Sequence, residues 1–316
     1  MTPPISSLDG TRVLVTGGAG FIGSHLVEAL AARGARVCVV DDLSTGWEEN
    51  LHPGAAFYRL HTSAPELAEV LRHERPEVVY HLAANTNVPR SVADPLGDCD
   101  NVRGGLNLFL GCQETGVRKV VLASSSFVYG NAADADLPLT EEQPTQPVSP
   151  YSVSKTATEN YLRYFHLTYG LPMVIFRYGT TSGPRQTGGA LADYIRKIAA
   201  GERAEMYGDG RLTRDYTYVS DVVRANLLAL EVAEADGEVF NLGSDRETAL
   251  IDLYAAVARL LGRPENRPVF LPARPGDIRR FRVSYAKAAR ILGWRPTVSL
   301  DEGLAEILRH QGLLPS

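Results

Sequence analysis

The stretch Thr16-Gly17-Gly18-Ala19-Gly20-Phe21-Ile22-Gly23-Ser24 constrains this chain more than any other. It follows the apolar run Val13-Leu14-Val15 and leads into His25-Leu26-Val27-Glu28-Ala29-Leu30, so it reads as strand, tight turn and helix. Gly17 permits the sharp exit from the strand, Gly20 lets the backbone approach a pyrophosphate, and Gly23 lets the helix pack closely on the sheet. Phe21 and Ile22 open that helix, whose unpaired N–H groups and dipole would hold the pyrophosphate. A second apolar strand, Arg36-Val37-Cys38-Val39-Val40, ends in Asp41, eighteen residues after Gly23. That is near the spacing of a carboxylate that binds the adenosine ribose hydroxyls, and an acid there repels a 2′-phosphate, favouring NAD over NADP. Asp42 points differently along the strand and reads as a turn residue. A glycine turn without a ligand would need neither the flanking strand nor the acid.

The alternation continues. A strand is expected at 55–60, a helix from Pro65 to Arg75, and a strand from Glu77 to Ala84 that includes Leu82 and Ala83. A helix opening at Asn101 and the strand Lys119-Val120-Val121-Leu122-Ala123 follow. Short apolar strands separated by helices predict an α/β fold, a Rossmann-type doubly wound parallel sheet. His81, inside an apolar strand end, is expected to be packed and hydrogen-bonded rather than catalytic. Cys38, Cys99 and Cys112 are odd in number and far apart, which suits free thiols and neither a disulfide framework nor a metal site. Pro138 to Pro150 is rich in Pro, Gln and Thr and is expected to be an ordered loop. A net charge of −5 with both signs scattered offers no basic face for a nucleic acid. Met1 to Gly10 has no basic segment followed by an apolar core, and no apolar run approaches membrane-spanning length. A cytoplasmic protein without a membrane partner is expected.

Two further stretches carry chemistry. Ser124-Ser125-Ser126-Phe127-Val128-Tyr129-Gly130 lies at the end of the fifth strand, where an open parallel sheet faces its ligand crevice. Ser149-Pro150-Tyr151-Ser152-Val153-Ser154-Lys155 opens a helix running to about Tyr169. Tyr151 and Lys155 are four apart and share one face. A lysine cation near a phenol favours the phenolate, which suits Tyr151 as a general base.

With these motifs in place the chain resembles the extended short-chain dehydrogenase/reductases that act on nucleotide sugars, and within them the UDP-glucose 4-epimerase branch. The resemblance extends to Asn101-Val102-Arg103-Gly104, Gly183-Pro184-Arg185-Gln186, Tyr207-Gly208-Asp209-Gly210, Arg214-Asp215-Tyr216 and Arg274-Pro275-Gly276-Asp277. It implies bound NAD held by Gly17, Gly20, Phe21, Ile22, Gly23, Asp41, Leu82, Ala83, Ala84, Asn101, Tyr151 and Lys155. It implies Ser125, Tyr151 and Lys155 as the catalytic set. A nucleotide-diphosphate sugar would be held by Ser125, Ser126, Tyr151, Thr180, Arg185, Arg214, Arg274 and Asp277, with Arg214 and Arg274 on the diphosphate. The implied reaction is 4-epimerisation through a 4-keto sugar, and a homodimer joined through helices near 102–114 and 152–169 is expected. A nucleotide-binding domain of residues 1–180 plus about 218–243 and an interleaved substrate lobe of 181–217 and 244–316 follow from the same resemblance. A 4-ketosugar reductase and a regulatory nucleotide-binding protein stand as alternatives.

Departures from the family pattern narrow the substrate. Relatives that dehydrate or decarboxylate nucleotide sugars carry a glutamate just before Val-Tyr-Gly, and dehydratases add an aspartate before it. Here those positions are Phe127 and Ser126, neither of which supplies a carboxyl, so both chemistries are demoted. The family's Arg-Tyr-Phe-Asn is replaced by Arg177-Tyr178-Gly179-Thr180. A threonine at this position resembles epimerases of UDP-glucuronic acid. Ser124, Ser125, Ser126 and Thr180 with Arg185 would then form a carboxylate pocket; equally, Gly179 and Thr180 would reshape the pocket for a neutral sugar. His61 stands where the family has an adenine-contacting aspartate.

Overall fold

In the computed structural model the apolar runs become strands of one sheet. The structure describes residues 5, 7–274 and 277–315, so part of the Met1 to Gly10 stretch and both Pro275 and Gly276 of the Arg274 to Asp277 motif lie outside the described residues. In chain order the strands are β1 (Arg12–Thr16), β2 (Arg36–Asp41), β3 (Ala56–Arg59), β4 (Val78–His81), β5 (Lys119–Ser125), β6 (Met173–Tyr178), β7 (Thr180–Ser182), β8 (Glu205–Tyr207), β9 (Thr213–Arg214), β10 (Tyr216–Tyr218), β11 (Glu238–Leu242), β12 (Thr248–Ala249) and β13 (Val269–Leu271). The helices are α1 (Phe21–Ala31), α2 (Leu67–Glu74), α3 (Val88–Ala93), α4 (Pro95–Asp98), α5 (Asp100–Thr115), α6 (Pro150–Tyr169), α7 (Gly189–Ala199), α8 (Val219–Glu231), α9 (Leu250–Leu260), α10 (Ala286–Leu292) and α11 (Leu300–His310).

Seven strands form the main sheet in the order β11-β6-β5-β4-β1-β2-β3, every pair parallel. The strand order reverses between β1 and β4, and their C-terminal ends open the crevice where such sheets bind ligands. Alternate residues of these strands feed two cores. Leu14, Val40, Val79, Val120 and Ile175 face α2, α5 and α6 through Leu67, Leu108 and Leu162. Val13, Val39, Tyr80, Val121 and Phe176 face the other way, with Leu26 and Leu30 of α1 and Val222 and Leu230 of α8. Burial on both faces explains why these strands read as nearly continuous apolar runs.

The three small ladders, β7 with β10, β9 with β12 and β8 with β13, have two or three residues per strand. They are too short for a period-two pattern, which is why the sequence did not signal them. They carry the segments that bring 180, 214 and 274 toward the sheet ends. The tail returns to the sheet. Trp294 Nε1 donates to Asp221 O at 2.8 Å, and the Asp221 carboxylate takes N–H donors from Thr297 and Val298. All three cysteines are free thiols, Cys38 and Cys112 buried and Cys99 exposed. Among the described residues no helix is long and apolar enough to cross a membrane.

Candidate active site

At the crevice the first strand ends in the glycine turn. Gly17 has φ 73°, and a Cβ there would lie 2.7 Å from Ala83 N, so only glycine fits. At Gly23 an added Cβ would come within 2.0 Å of Gly17 O, which fixes how closely α1 rides on the turn. Gly20 begins the helix with no side-chain cap and no acid in its first turn. The leading N–H donors are therefore open to an anion. Leu82 and Ala83 run beside the turn, with both N–H groups donated to Thr16, and Ala84 follows. Asp41 lies beneath it. Its Oδ2 accepts from Ala19 N at 3.0 Å and its Oδ1 from Leu43 N at 2.9 Å. Burial raises its carboxyl while these bonds pull it down. Each oxygen keeps a lone pair for a further donor. Asp42 caps its own turn by accepting from Ser44 N. His61 is half-exposed, 4.0 Å from the Asp42 carboxylate.

The helix α6 is set by local chemistry. Ser149 and Ser152 form a reciprocal capping box, Pro150 occupies the first turn, and Gly170 ends the helix in the left-handed conformation. Tyr151, Lys155 and Glu159 follow at four-residue intervals and face β5. The Ser125 hydroxyl beside the Tyr151 phenol lowers its pKa, but burial dominates and pushes it up to about 12, with the Asp98 charge adding to the rise. Lys155 Nζ donates to Ala123 O at 2.8 Å. Burial holds this ammonium down at about 8, against the pull of Glu159 and Asp98. This corrects the expectation that Lys155 acidifies Tyr151 directly. One of the three ammonium donors is held by a backbone carbonyl, and desolvation outweighs every charge near the phenol.

One turn further, Glu159 takes three hydrogen bonds from Arg177, at 3.0, 3.2 and 2.7 Å, and one from Ser124. Arg177 also reaches Tyr129, whose hydroxyl donates to Asn241. The sequence reading missed this buried network, although the Tyr151, Lys155 and Glu159 spacing was available. It also missed Asp98, only 2% exposed, which accepts from Asn101 and lies near Ser154 and Lys155. Asn101 itself is fully engaged, with Asn85 N bonded to its Oδ1 and its Nδ2 near Asn85 O, Asp98 and Ser154. His81 is packed as expected, bonded to Thr16 Oγ1 at 2.8 Å and driven down to about 3 by burial and by Lys155.

On the substrate side most of the side chains of the alternative carboxylate pocket have other partners. Ser124 serves Glu159, and Ser126 is fully buried with its hydroxyl on Tyr178 O at 2.6 Å. Arg185 lies on α1, bonded to Ser24 and paired with Glu28. Gly179 is pinched between backbone oxygens, since a Cβ would meet Asp215 O at 3.0 Å and Leu242 O at 3.1 Å. It allows β6 to meet β7 and β10 rather than enlarging a pocket. Thr180 is half-buried on β7, bonded through its N–H to Asp215 O. Arg214 gives Nη1 to Thr213 O and Ile278 O and sits 5.7 Å from the Phe127 ring centroid. Asp277 acts on it through its charge. Arg274 is exposed and stacked 3.3 Å from the Tyr207 ring centroid.

The chain is similar to known proteins. Residues 13–243 match the NAD dependent epimerase/dehydratase family. A UDP-glucose 4-epimerase of Mycolicibacterium smegmatis is 40% identical over 306 residues, covering 93% of this chain and 96% of its own. The crystal structure of a UDP-glucose 4-epimerase with UDP-glucose from Thermotoga maritima superposes with a TM-score of 0.92 at 40% identity, over 96% of this chain and 99% of that one. A Thermus thermophilus UDP-glucose 4-epimerase in complex with NAD gives 0.88 at 39% identity, over 95% and 98%. The chain belongs to the NAD-dependent epimerase/dehydratase family and is an isomerase of the nucleotide-sugar 4-epimerase type.

Proposed function

We propose that this family member interconverts the C4 epimers of a nucleotide-diphosphate hexose of the UDP-glucose/UDP-galactose type. The observation that carries the reading is the Ser125 hydroxyl facing the Tyr151 phenol at the end of β5, with the Lys155 ammonium buried one turn below. The dinucleotide fits this chain, because the glycine turn leaves no room for side chains where it passes Ala83 and the α1 donors are uncapped. Gly17, Gly20, Phe21, Ile22 and Gly23 would hold the pyrophosphate, Asp41 the adenosine ribose, and Leu82, Ala83 and Ala84 the wall of the cleft. Asn101 would act through the loop it ties down, and Tyr151 and Lys155 would reach the nicotinamide ribose. Bound NAD supplies hydride acceptance and return at C4 without net redox.

The protein's share of the reaction is proton transfer and grip. Tyr151 takes the proton from the 4-hydroxyl and gives it back, while Ser125 bonds the same oxygen. Burial pushes the Tyr151 phenol up to about 12, and a positive charge brought against it favours the phenolate that acts as base. Arg214 and Arg274 would hold the diphosphate, with Asp277 orienting Arg214, so that the sugar turns over while the nucleotide stays fixed. A neutral hexose is favoured over a uronic acid, since Arg185 is neutralised by Glu28 and Ser124 and Ser126 are spent elsewhere. Thr180 remains to bond a sugar hydroxyl. Incubation with UDP-glucose, UDP-N-acetylglucosamine, UDP-glucuronic acid and dTDP-glucose separately, read by mass and sugar NMR, tests the assignment. The expected result is an isomer of unchanged mass from UDP-glucose without added cofactor; loss of water or carbon dioxide would overturn it.

The second copy of a homodimer would sit on α5 and α6. Their outer faces expose Leu110 at 56%, Val153 at 52% and Leu167 at 82%, with Tyr161 and Tyr164 between. Light scattering should give the mass of two chains, and Leu167→Asp should shift it toward one.

A further inference from the structure

We infer that Phe127 is a positioning residue that presets Arg214 for the phosphates of the nucleotide ligand. The inference rests on the role proposed above for Arg214. Phe127 stands between the chemistry and the anchor. Its N–H donates to Ser125 Oγ at 3.2 Å, while its ring lies under the Arg214 guanidinium, 5.7 Å from Cζ to centroid. The ring is itself gripped edge-on by Phe281, at 5.4 Å and 74°. Phe281 is fully buried in a small core with Val128, Leu139, Ile278 and Val283. The same core supplies the Ile278 carbonyl that takes Arg214 Nη1 at 2.9 Å.

The arrangement fixes the cation without exhausting it. Nη1 is committed to Thr213 O and Ile278 O, but among the described residues Nε and Nη2 have no hydrogen-bond partner. A π face attracts a guanidinium through its quadrupole and uses none of its N–H donors. The remaining edge of the fork therefore stays available for a phosphate oxygen pair. A carboxylate at 127 would also hold the cation, but it would take those donors and cancel the charge. A leucine would fill the space and supply no quadrupole. Because one residue carries both the ring under Arg214 and the N–H on Ser125, the distance from phosphate anchor to reacting hydroxyl is set by a single turn of chain.

Calorimetric titration of the wild type, Phe127→Leu and Phe127→Tyr with UDP and with uridine tests this. Phe127→Leu should weaken UDP binding about three- to tenfold while leaving uridine within about twofold, and it should raise KM with kcat little changed. Phe127→Tyr, which keeps the π face, should restore UDP affinity. If the leucine variant does not fold, Phe127→Met carries the same expectation. UDP affinity equal to wild type, or a loss shared equally by uridine, would overturn the role of Phe127. A wild type that binds neither UDP nor uridine would overturn the nucleotide-sugar reading itself, and this inference with it.

Discussion

The inward face of α6 carries two polar sites built from the same materials, and they behave in opposite ways. At its start Tyr151 and Lys155 are buried with few partners, and burial displaces both pKa values, the phenol upward and the ammonium downward. One turn on, Glu159 is equally buried but saturated by Arg177 and Ser124, and Arg177 continues to Tyr129 and Asn241. The neighbouring strand repeats the contrast, with Ser125 on the phenol and Ser124 on the carboxylate. A satisfied network specifies structure, whereas an under-satisfied pair stores the capacity to move a proton.

The comparison breaks most decisively at Tyr151. Tyr151→Phe should lower kcat by about a hundred- to ten-thousandfold, with urea unfolding scarcely changed; near-normal turnover would remove Tyr151 from the chemistry. Next in size, Glu159→Ala leaves the Arg177 guanidinium buried without its partner. A loss of about 3–5 kcal/mol in urea unfolding is expected, and an unchanged midpoint would show that the network is ornamental. The third effect concerns pH. Lys155 titrates near 8 in the fold and near 10.5 when unfolded. The penalty for burying its charge is thus fully present below about pH 8 and fades as the pH rises toward 10.5. The stability of the wild type relative to Lys155→Met should therefore rise across that window, by about 3 kcal/mol, and a flat difference would deny the burial effect. The smallest contrast is the sharpest. Ser124→Ala should cost about 1–3 kcal/mol of stability with kcat preserved, while Ser125→Ala should lower kcat about tenfold or more and leave stability nearly intact. Exchange of those two outcomes would reverse the assignment of the two ends.

Much of this site was legible before any fold was built. The glycine spacing at 17, 20 and 23, Asp41 at a strand end and the four-residue step from Tyr151 to Lys155 are local patterns, and the structure places each on the expected turn, strand or helix. The short helices α3 and α4 and the ladders of two or three residues were not legible, because they lack a repeat long enough to reveal a period. Where Ser124, Ser126 and Arg185 would turn was not legible for a different reason. Those side chains had the right chemistry, but each found a nearer partner, and Arg185 paired with Glu28, 157 positions away in sequence.

Sequence alone therefore determined the order of the main-sheet strands and the long helices, the dinucleotide turn and the face on which Tyr151 and Lys155 lie, since periods of two and 3.6 residues are imposed by backbone geometry. Tertiary structure decided which hydroxyl faces Tyr151 and which serves Glu159, how closely Gly179 is packed, and that Phe127 lies beneath Arg214. Those outcomes depend on contacts between segments far apart in the chain, where the nearest unsatisfied partner, rather than residue type, decides what a polar group will do.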